Sequence, residues 1–280
     1  MKFLVKIIHS PRVLRYFLNI GFKFGANLKE KIRLLLFLIY SRIKYALGRN
    51  IKLRTNKFYL RIFGQYLELE ISSDLTDIAL LDSIFTNQDY KTKLPISSPQ
   101  IIFDLGSNIG FAALYFKLLY PQAKVFCFEP DPENFKRLKT NTKMFPDIYI
   151  FNYAICSHKG EREFYRHSES HSCHSLIPRD KAEQKIRVKC LSLDEAMIMS
   201  QVRHIDLLKF DIEGAEEEVF TNFNNFSCID HMIGEVHPHL INNFNEKQFL
   251  DIFKDYKILI TALGKKSKGF FMEARKNELL

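Results

Sequence analysis

The chain has 280 residues, 46% of them apolar and 26% charged, with 41 Lys and Arg against 32 Asp and Glu and a formal net charge of +9. These values exclude wholesale disorder, and the length allows one large domain or two small ones with no need of a metal or disulfide for stability. The longest dense apolar run, residues 34–40, lies between Arg33 and Arg42. It falls well short of the ~20 residues a bilayer span requires.

Residues 1–50 hold eleven cations and one acid, Glu30, a net of +10, whereas the remaining 230 residues are close to neutral at −1. The basic character therefore belongs to an N-terminal extension and does not mark a nucleic-acid-binding face on the body. This extension reads as one or two helices. Leu34, Leu35, Leu38, Ile39, Ile43, Ala46 and Leu47 recur at helical spacing, Lys31, Arg33, Arg42, Lys44 and Arg49 surround them, and Gly48 is a stop signal. Such a pattern fits an interfacial helix on anionic lipid, and equally a helix packed on a neighbouring domain or a second copy.

Residues 51–95 read as a hairpin, with strands at 58–63 and 66–71 about Gly64-Gln65, and then a helix to about Phe85 with Asp74 as N-cap. Residues 96–280 then alternate. Strands are expected at 101–104, 124–129, 148–152, 205–211 and 231–236. Helices are expected near 111–119, 132–143, 193–199, 215–223 and 246–253. A more β-rich stretch runs to Cys190, and two last strands fit 256–261 and 269–275. Apolar strands alternating with helices predict a mostly parallel sheet covered on both faces.

The five cysteines are odd in number and form no C-x-x-C pair. A reducing, cytoplasmic setting is the simpler expectation. No secretory signal is expected, since Lys6 interrupts the first apolar stretch. The formal sequon at Asn225 then has no meaning.

Ligands of such sheets bind beyond the carboxyl ends of the strands. The first core strand ends in Asp104-Leu105-Gly106-Ser107-Asn108-Ile109-Gly110, an acid followed by two glycines that let the backbone turn and approach a ligand. The second ends in Glu129-Pro130, 25 residues after Asp104. A carboxylate there can accept both hydroxyls of a ribose. The loop lacks the central glycine of G-x-G-x-x-G, and an acidic strand tip repels phosphate while suiting a cationic ligand. Both points favour S-adenosylmethionine over a nicotinamide dinucleotide.

The chain resembles the FkbM-type methyltransferase family, within the class I S-adenosylmethionine-dependent fold. The resemblance is carried by Phe103 to Gly110, by Phe128-Glu129-Pro130-Asp131-Pro132-Glu133-Asn134-Phe135, and by Asn152-Tyr153-Ala154-Ile155 with Gly160. It is carried further by Ile205 to Glu216, which contains Lys209-Phe210-Asp211-Ile212-Glu213-Gly214, and by Glu235-Val236-His237. It covers roughly residues 70–275. Ser107 stands where the family usually has alanine. The resemblance implies an α/β, Rossmann-like, mostly parallel seven-stranded sheet with helices on both faces. It also implies S-adenosylmethionine as cofactor and O-methylation of a hydroxylated small-molecule or saccharide acceptor. The cofactor residues it implies are Asp104, Gly106, Ser107, Asn108, Gly110, Glu129, Pro130 and Ala154.

The candidate bases are Asp211, Glu213, Glu235 and His237, all at later strand ends, where a base can take the hydroxyl proton. Ser172 and Ser175 are further substrate candidates in a Ser-rich segment. His167, His171, Cys173 and His174 carry zinc-type ligands, but their spacing matches no ligand pattern, and no metal is expected. Two rivals stay open: a non-catalytic methyltransferase-fold scaffold and a dinucleotide-dependent oxidoreductase. The oligomeric state is not legible. The expected place of action is the cytoplasm, with peripheral attachment to an anionic membrane through residues 1–50.

Overall fold

A computed structural model describes residues 11–46, 55–73, 75–167, 174–178, 182–263 and 269–280. Asp74, Gly48, His171, Ser172 and Cys173 lie outside these residues. The chain divides into two compact units, residues 1–89 and 90–280.

The first unit contains α1 (Pro11–Phe24), α2 (Leu28–Ala46), β1 (Thr55–Ile62), β2 (Gln65–Ser72) and α3 (Thr76–Asp82), with a widened helical turn at Ser83–Asn87. The hairpin pairs antiparallel from Thr55↔Ser72 to Ile62↔Gln65, and its turn is Phe63-Gly64. Phe58, Leu60 and Ile62 alternate inward against Leu67, Leu69 and Ile71, the period-2 burial of a half-covered sheet. On α2 the buried row is Leu34, Phe37, Leu38, Ser41 and Lys44. Leu34 and Leu38 of the expected stripe are in it, whereas Leu35, Ile39 and Ile43 are only half-buried, because the i, i+3, i+4, i+7 row runs through Phe37 and Leu38 and turns those three toward its edge. Lys44 is part of that buried row and not of the charged surround, and its Nζ donates to Ser73 Oγ at 3.1 Å. A lysine can occupy such a row when its apolar stem packs and its head finds an oxygen. No helix among the described residues is long and apolar enough to cross a membrane.

The second unit is built on a seven-stranded sheet. Its strands are β3 (Ile101–Leu105), β4 (Lys124–Phe128), β5 (Ile148–Phe151), β9 (Leu207–Phe210), β10 (His231–Val236), β11 (Tyr256–Ala262) and β12 (Phe270–Lys276). Their order is β11-β12-β10-β9-β3-β4-β5. β5, β4, β3, β9 and β10 run parallel, and β12 is antiparallel to both β10 and β11. The central strands β3 and β9 are buried almost throughout, as the near-continuous apolar runs of a doubly covered sheet require. The order reverses between β3 and β9, where the chain leaves β3 for β4 on one side and later returns to β9 on the other. The crevice beyond the carboxyl ends at this point is the topological switch where such sheets bind ligands.

The helices α4 (Phe111–Leu119), α5 (Pro132–Thr142), α6 (Leu193–Met199), α7 (Glu216–Asn222) and α8 (Glu246–Asp251) connect these strands. α5 starts where the sequence dictates. Asp131 caps it by accepting the Glu133 and Asn134 amides, and Pro132 supplies the preset φ of the first turn. α6 opens on a capping box of Ser192 and Glu195. The stretch expected only to be β-rich forms a separate three-stranded sheet, β6-β8-β7, made of Ala154–Ile155, Ala182–Leu191 and Gly160–His167. A cluster of Phe210, Phe220, Phe249 and Phe253 rings, 5.0–6.3 Å apart, ties β9 to α7 and α8 on one face.

Candidate active site

The loop after β3 is held by the tip of β4. The Gly106 and Ser107 amides both donate to Phe128 O, at 3.0 and 3.1 Å, and the Asn108 amide donates to Glu129 Oε2 at 2.7 Å. Gly106 has φ +73°, and a Cβ built there would stand 1.9 Å from Asp211 O, so only glycine fits between the tips of β3 and β9. Glu129 is buried, and its second oxygen accepts the Asp131 amide at 2.9 Å. Burial pushes this carboxyl up to about 8 against the pull of those amides. Each oxygen keeps lone-pair capacity for a further donor, such as a ribose hydroxyl.

A cleft of about 540 Å³ opens over these groups. Gly106, Asn108, Glu129, Pro130 and Ala154 line it, as do Asp211 and Glu213. Three other predicted cofactor residues stand behind its wall. Asp104 is fully buried and pairs with Lys209 Nζ at 2.9 Å. The Ser107 hydroxyl donates to Asp104 O at 2.7 Å. Gly110 opens α4 and packs against Leu138 and Thr142. These three shape the loop from behind. Ser175 is also turned away: it is buried, and its hydroxyl donates to Ile177 O at 2.6 Å.

Sequence reasoning missed Lys209 in this role. It is a lysine inside the apolar strand Leu207–Phe210, only 2% exposed, and a charge in such a strand was itself the signal. Its ammonium donates to Gly106 O at 2.8 Å, and it lies over the Tyr90 ring, 5.5 Å from the centroid. Burial opposes its charge, but Asp104 and Asp211 outweigh that and hold its pKa above the ordinary value. One buried lysine thus joins the acid of β3, the glycine loop and the β9 tip. For the distal wall, sequence reasoning places the segment containing His174 and Ser175 near the site but selects its serines where His174 and Leu176 line the cleft, and it does not foresee Phe164. Phe164, His174 and Leu176 come from the small sheet and the segment beside it. His174 Nδ1 accepts the His167 amide at 2.9 Å, which fixes its tautomer by a backbone contact.

Beyond Asp211 the four candidate bases converge. Glu213 is held at φ +53° between Ile212 and Gly214, an uncommon conformation for a side-chain-bearing residue. Its carboxylate reaches to 3.6 Å from His237 Nε2, and Glu235 lies 3.7 Å from the same nitrogen. The opposite nitrogen, Nδ1, bonds Glu216 Oε1 at 2.9 Å. Glu216 is wholly buried and also accepts the Gly214 amide. The partner that orients His237 is therefore Glu216, three residues past Glu213 and the first residue of α7, a residue the sequence reading did not single out. Burial disfavours the imidazolium, but the Glu216 hydrogen bond and the charges of Glu213, Glu216 and Asp211 reverse this and push His237 up to about 10. Burial and repulsion from Asp211 push Glu235 up to about 8. Asp211 accepts from the Tyr90 hydroxyl at 3.4 Å.

Ligand atoms of Asp211, Glu235 and His237 lie within 4.8 Å of one another, close enough to hold a divalent cation. The imidazolium and Lys209 supply counter-charge to the same carboxylates, so the cluster does not require one.

The sheet order, the glycine loop and the acid at the β4 tip define a Rossmann-like protein of the class I methyltransferase type. The chain belongs to the FkbM methyltransferase family: residues 104–266 match the family's domain, described as the methyltransferase FkbM domain. It is 30% identical over 139 residues to the hexuronic acid methyltransferase AglP of Haloferax volcanii, which covers 49% of this chain and 56% of that protein. It is 29% identical over 136 residues to the 2-O-methyltransferase NoeI of Sinorhizobium fredii, covering 42% and 55%. The chain thus spans about half the length of these curated relatives. A crystal structure of an FkbM methyltransferase from Methylobacillus flagellatus aligns over 97% of this chain and 62% of that one, at 12% identity and a TM-score of 0.45.

Proposed function

We propose that the protein is an S-adenosylmethionine-dependent O-methyltransferase acting on a hydroxyl of a saccharide or saccharide-bearing acceptor. The observation that carries this reading is the division of one cleft into two ends. One end has a single lining carboxylate, Glu129, held by backbone amides; the other has Asp211 and Glu213 beside Glu235 and His237. The first end suits the ribose and adenine of the donor, with Pro130, Ala154 and Ile155 as apolar walls and Glu129 as hydroxyl acceptor. S-adenosylmethionine supplies a methyl group on a positively charged sulfur, and an acidic cleft suits that charge.

The chain's own task is to hold the acceptor oxygen in line and take up its proton. Carboxylates accept hydrogen bonds from hydroxyls, so Asp211, Glu213 and Glu235 suit a polyhydroxylated acceptor better than an apolar one. Glu235, with its pKa near 8, gains and loses a proton just above neutral pH, whereas His237 keeps its proton through that range. His237 then acts as the cationic brace that keeps Glu235 and Glu213 together. The names of the two relatives, one for hexuronic acid and one for 2-O-methylation, support a saccharide acceptor. The reading extends to place. A basic N-terminal unit positions such an enzyme at a membrane surface, where lipid-linked saccharides are exposed.

Calorimetric titration with S-adenosylhomocysteine tests the donor end. Micromolar binding, about −8 kcal/mol, is expected in the wild type and is lost in Glu129→Ala. Transfer of labelled methyl from S-adenosylmethionine to a panel of neutral, amino and acidic sugars tests the other end. Binding without transfer to any of them would favour a scaffold, and enhancement of NADH fluorescence on mixing would favour an oxidoreductase.

A further inference from the structure

Helices α1 and α2 each bury one face and expose another that is also apolar. Phe17, Ile20 and Phe24 of α1 and Leu34, Phe37 and Leu38 of α2 are buried, so each helix already contributes a core stripe. On the outer side of α1, Leu14, Leu18 and Phe22 follow one another at four-residue steps and are 40%, 37% and 56% exposed. On α2, Leu28, Ile32, Leu36 and Tyr40 do the same at 66%, 48%, 60% and 42%. Single exposed apolar residues are ordinary. Two such rows of large residues, each on a helix whose inner face is already used, mark an interaction surface.

Charge selects the partner. Residues 11–46 carry eight cations and one acid. That acid, Glu30, is buried and already accepts from Arg33 at 2.6 Å and from the Tyr59 amide. Arg12, Arg15, Lys23 and Lys29 are exposed around the apolar rows. A second copy would set cation against cation, whereas a surface that is anionic outside and apolar just beneath matches both features. α2 has 19 residues, about 28 Å of helix. Lys29, Lys31, Arg33, Arg42 and Lys44 along it forbid a spanning orientation and leave an in-plane one.

We infer that α1 and α2 bind in the plane of an anionic lipid bilayer, with Leu14, Leu18, Phe22, Ile32 and Leu36 entering the headgroup–acyl boundary and the exposed cations meeting lipid phosphates. This gives the reading of place its partner and its residues, and it does not depend on the chemistry of the cleft.

The test is flotation of the full chain with vesicles of phosphatidylcholine alone or with about one third phosphatidylglycerol. Two variants are compared with the wild type: Ile32→Glu/Leu36→Glu and Arg12→Glu/Arg15→Glu/Lys29→Glu. All these positions are exposed, and S-adenosylhomocysteine binding and thermal midpoint report folding separately. The wild type is expected to prefer anionic vesicles at least tenfold and to lose that preference in high salt. Each cation removed should weaken binding about fivefold, and the two acidic residues on α2 should weaken it at least tenfold. Equal binding to both vesicle types, or binding unchanged in either variant, would overturn the inference. So would a concentration-dependent dimer that the α2 variant dissociates while the wild type ignores vesicles, since the face would then belong to a second copy. None of those failures touches the reading of the cleft, which the donor titration decides by itself.

Discussion

The two ends of the cleft are assembled by different means from the same kind of material, acids at the tips of parallel strands. At the β3–β4 end the carboxylate of Glu129 is spaced by backbone, with two amides on its two oxygens and no other acid of the cleft wall against it. At the β9–β10 end the carboxylates of Asp211, Glu213 and Glu235 crowd one another and a histidine, and Glu216 stands behind that histidine, bonded to its Nδ1. An acid whose two oxygens are fixed by backbone amides has a set geometry, which suits binding. A crowded set of acids shares protons, which suits proton transfer. Lys209 underlies both, with Asp104 on one side and the charge of Asp211 on the other.

The largest expected effect lies at the crowded end. On the proposed reading, Glu235→Gln lowers kcat by 10²–10⁴, the range for losing a general base, and leaves donor affinity within a factor of two. The wild-type rate should rise with pH through about 8, as Glu235 loses its proton. Steady-state kinetics with parallel donor titration checks both, and a Gln variant that weakens the donor as much as the rate would erase the distinction between the ends. The next effect tests what joins them. Lys209→Met leaves Asp104 buried without its partner, and breaking such a pair costs about 3–5 kcal/mol. The double variant Lys209→Met/Asp104→Asn should recover most of that. Urea unfolding of the three proteins measures it, and equal destabilisation of the single and double variants would mean that packing, not charge, is what Lys209 supplies.

The same contrast explains what the sequence made legible. The β3–β4 end is written in nearly consecutive residues, so Asp104, the glycine loop and Glu129 could be located by spacing, with the family resemblance adding Asn108 and Ala154, and the strand–helix alternation around them was legible too. Spacing nevertheless assigned Asp104 to the ligand. It marks the strand tip in either case, and only the partner on β9, 105 residues later, decides that it faces the sheet interior. The β9–β10 end depends on contacts between strands and a helix. Asp211, Glu213, Glu235 and His237 could be gathered by topology, but the role of Glu216 follows from a hydrogen bond across 21 residues that no periodicity announces. The three-stranded sheet escaped for a similar reason. Its β7–β8 pairing bridges residues 160–191 through a stretch with weak alternation, and it supplies the far wall of the cleft. In the first unit, periodicity found α2 and placed Leu34 and Leu38 on its buried face, but took half-buried Leu35, Ile39 and Ile43 for core and left out Phe37, Ser41 and Lys44. Apolar residues on both sides of that helix satisfy a helical pattern equally well, and only packing separates the core row from the exposed one.

The smallest effect discriminates most finely, because one titration should move two properties in opposite directions. Glu129 is buried, and its folded pKa of about 8 stands above the ordinary carboxyl value of 4.5. Between those values the folded state keeps a proton that the unfolded state has released, so stability falls as pH rises through the window and is unaffected by this group below about 4.5. The slope from one such group approaches roughly 1.4 kcal/mol per pH unit. Glu235 contributes with the same sign. Donor binding runs the other way on the proposed reading. Ribose hydroxyls donate to the ionised carboxylate, so affinity for S-adenosylhomocysteine should climb from pH 6 to pH 8 and level off above. Glu129→Gln should remove its share of the stability slope and flatten the climb in affinity, at the cost of weaker binding throughout. Denaturation and calorimetry at pH 6, 7, 8 and 9 read both. A stability slope that survives Glu129→Gln in full would place the titration at the crowded end alone. A donor affinity indifferent to pH in the wild type would mean that Glu129 receives the ribose as a neutral acid.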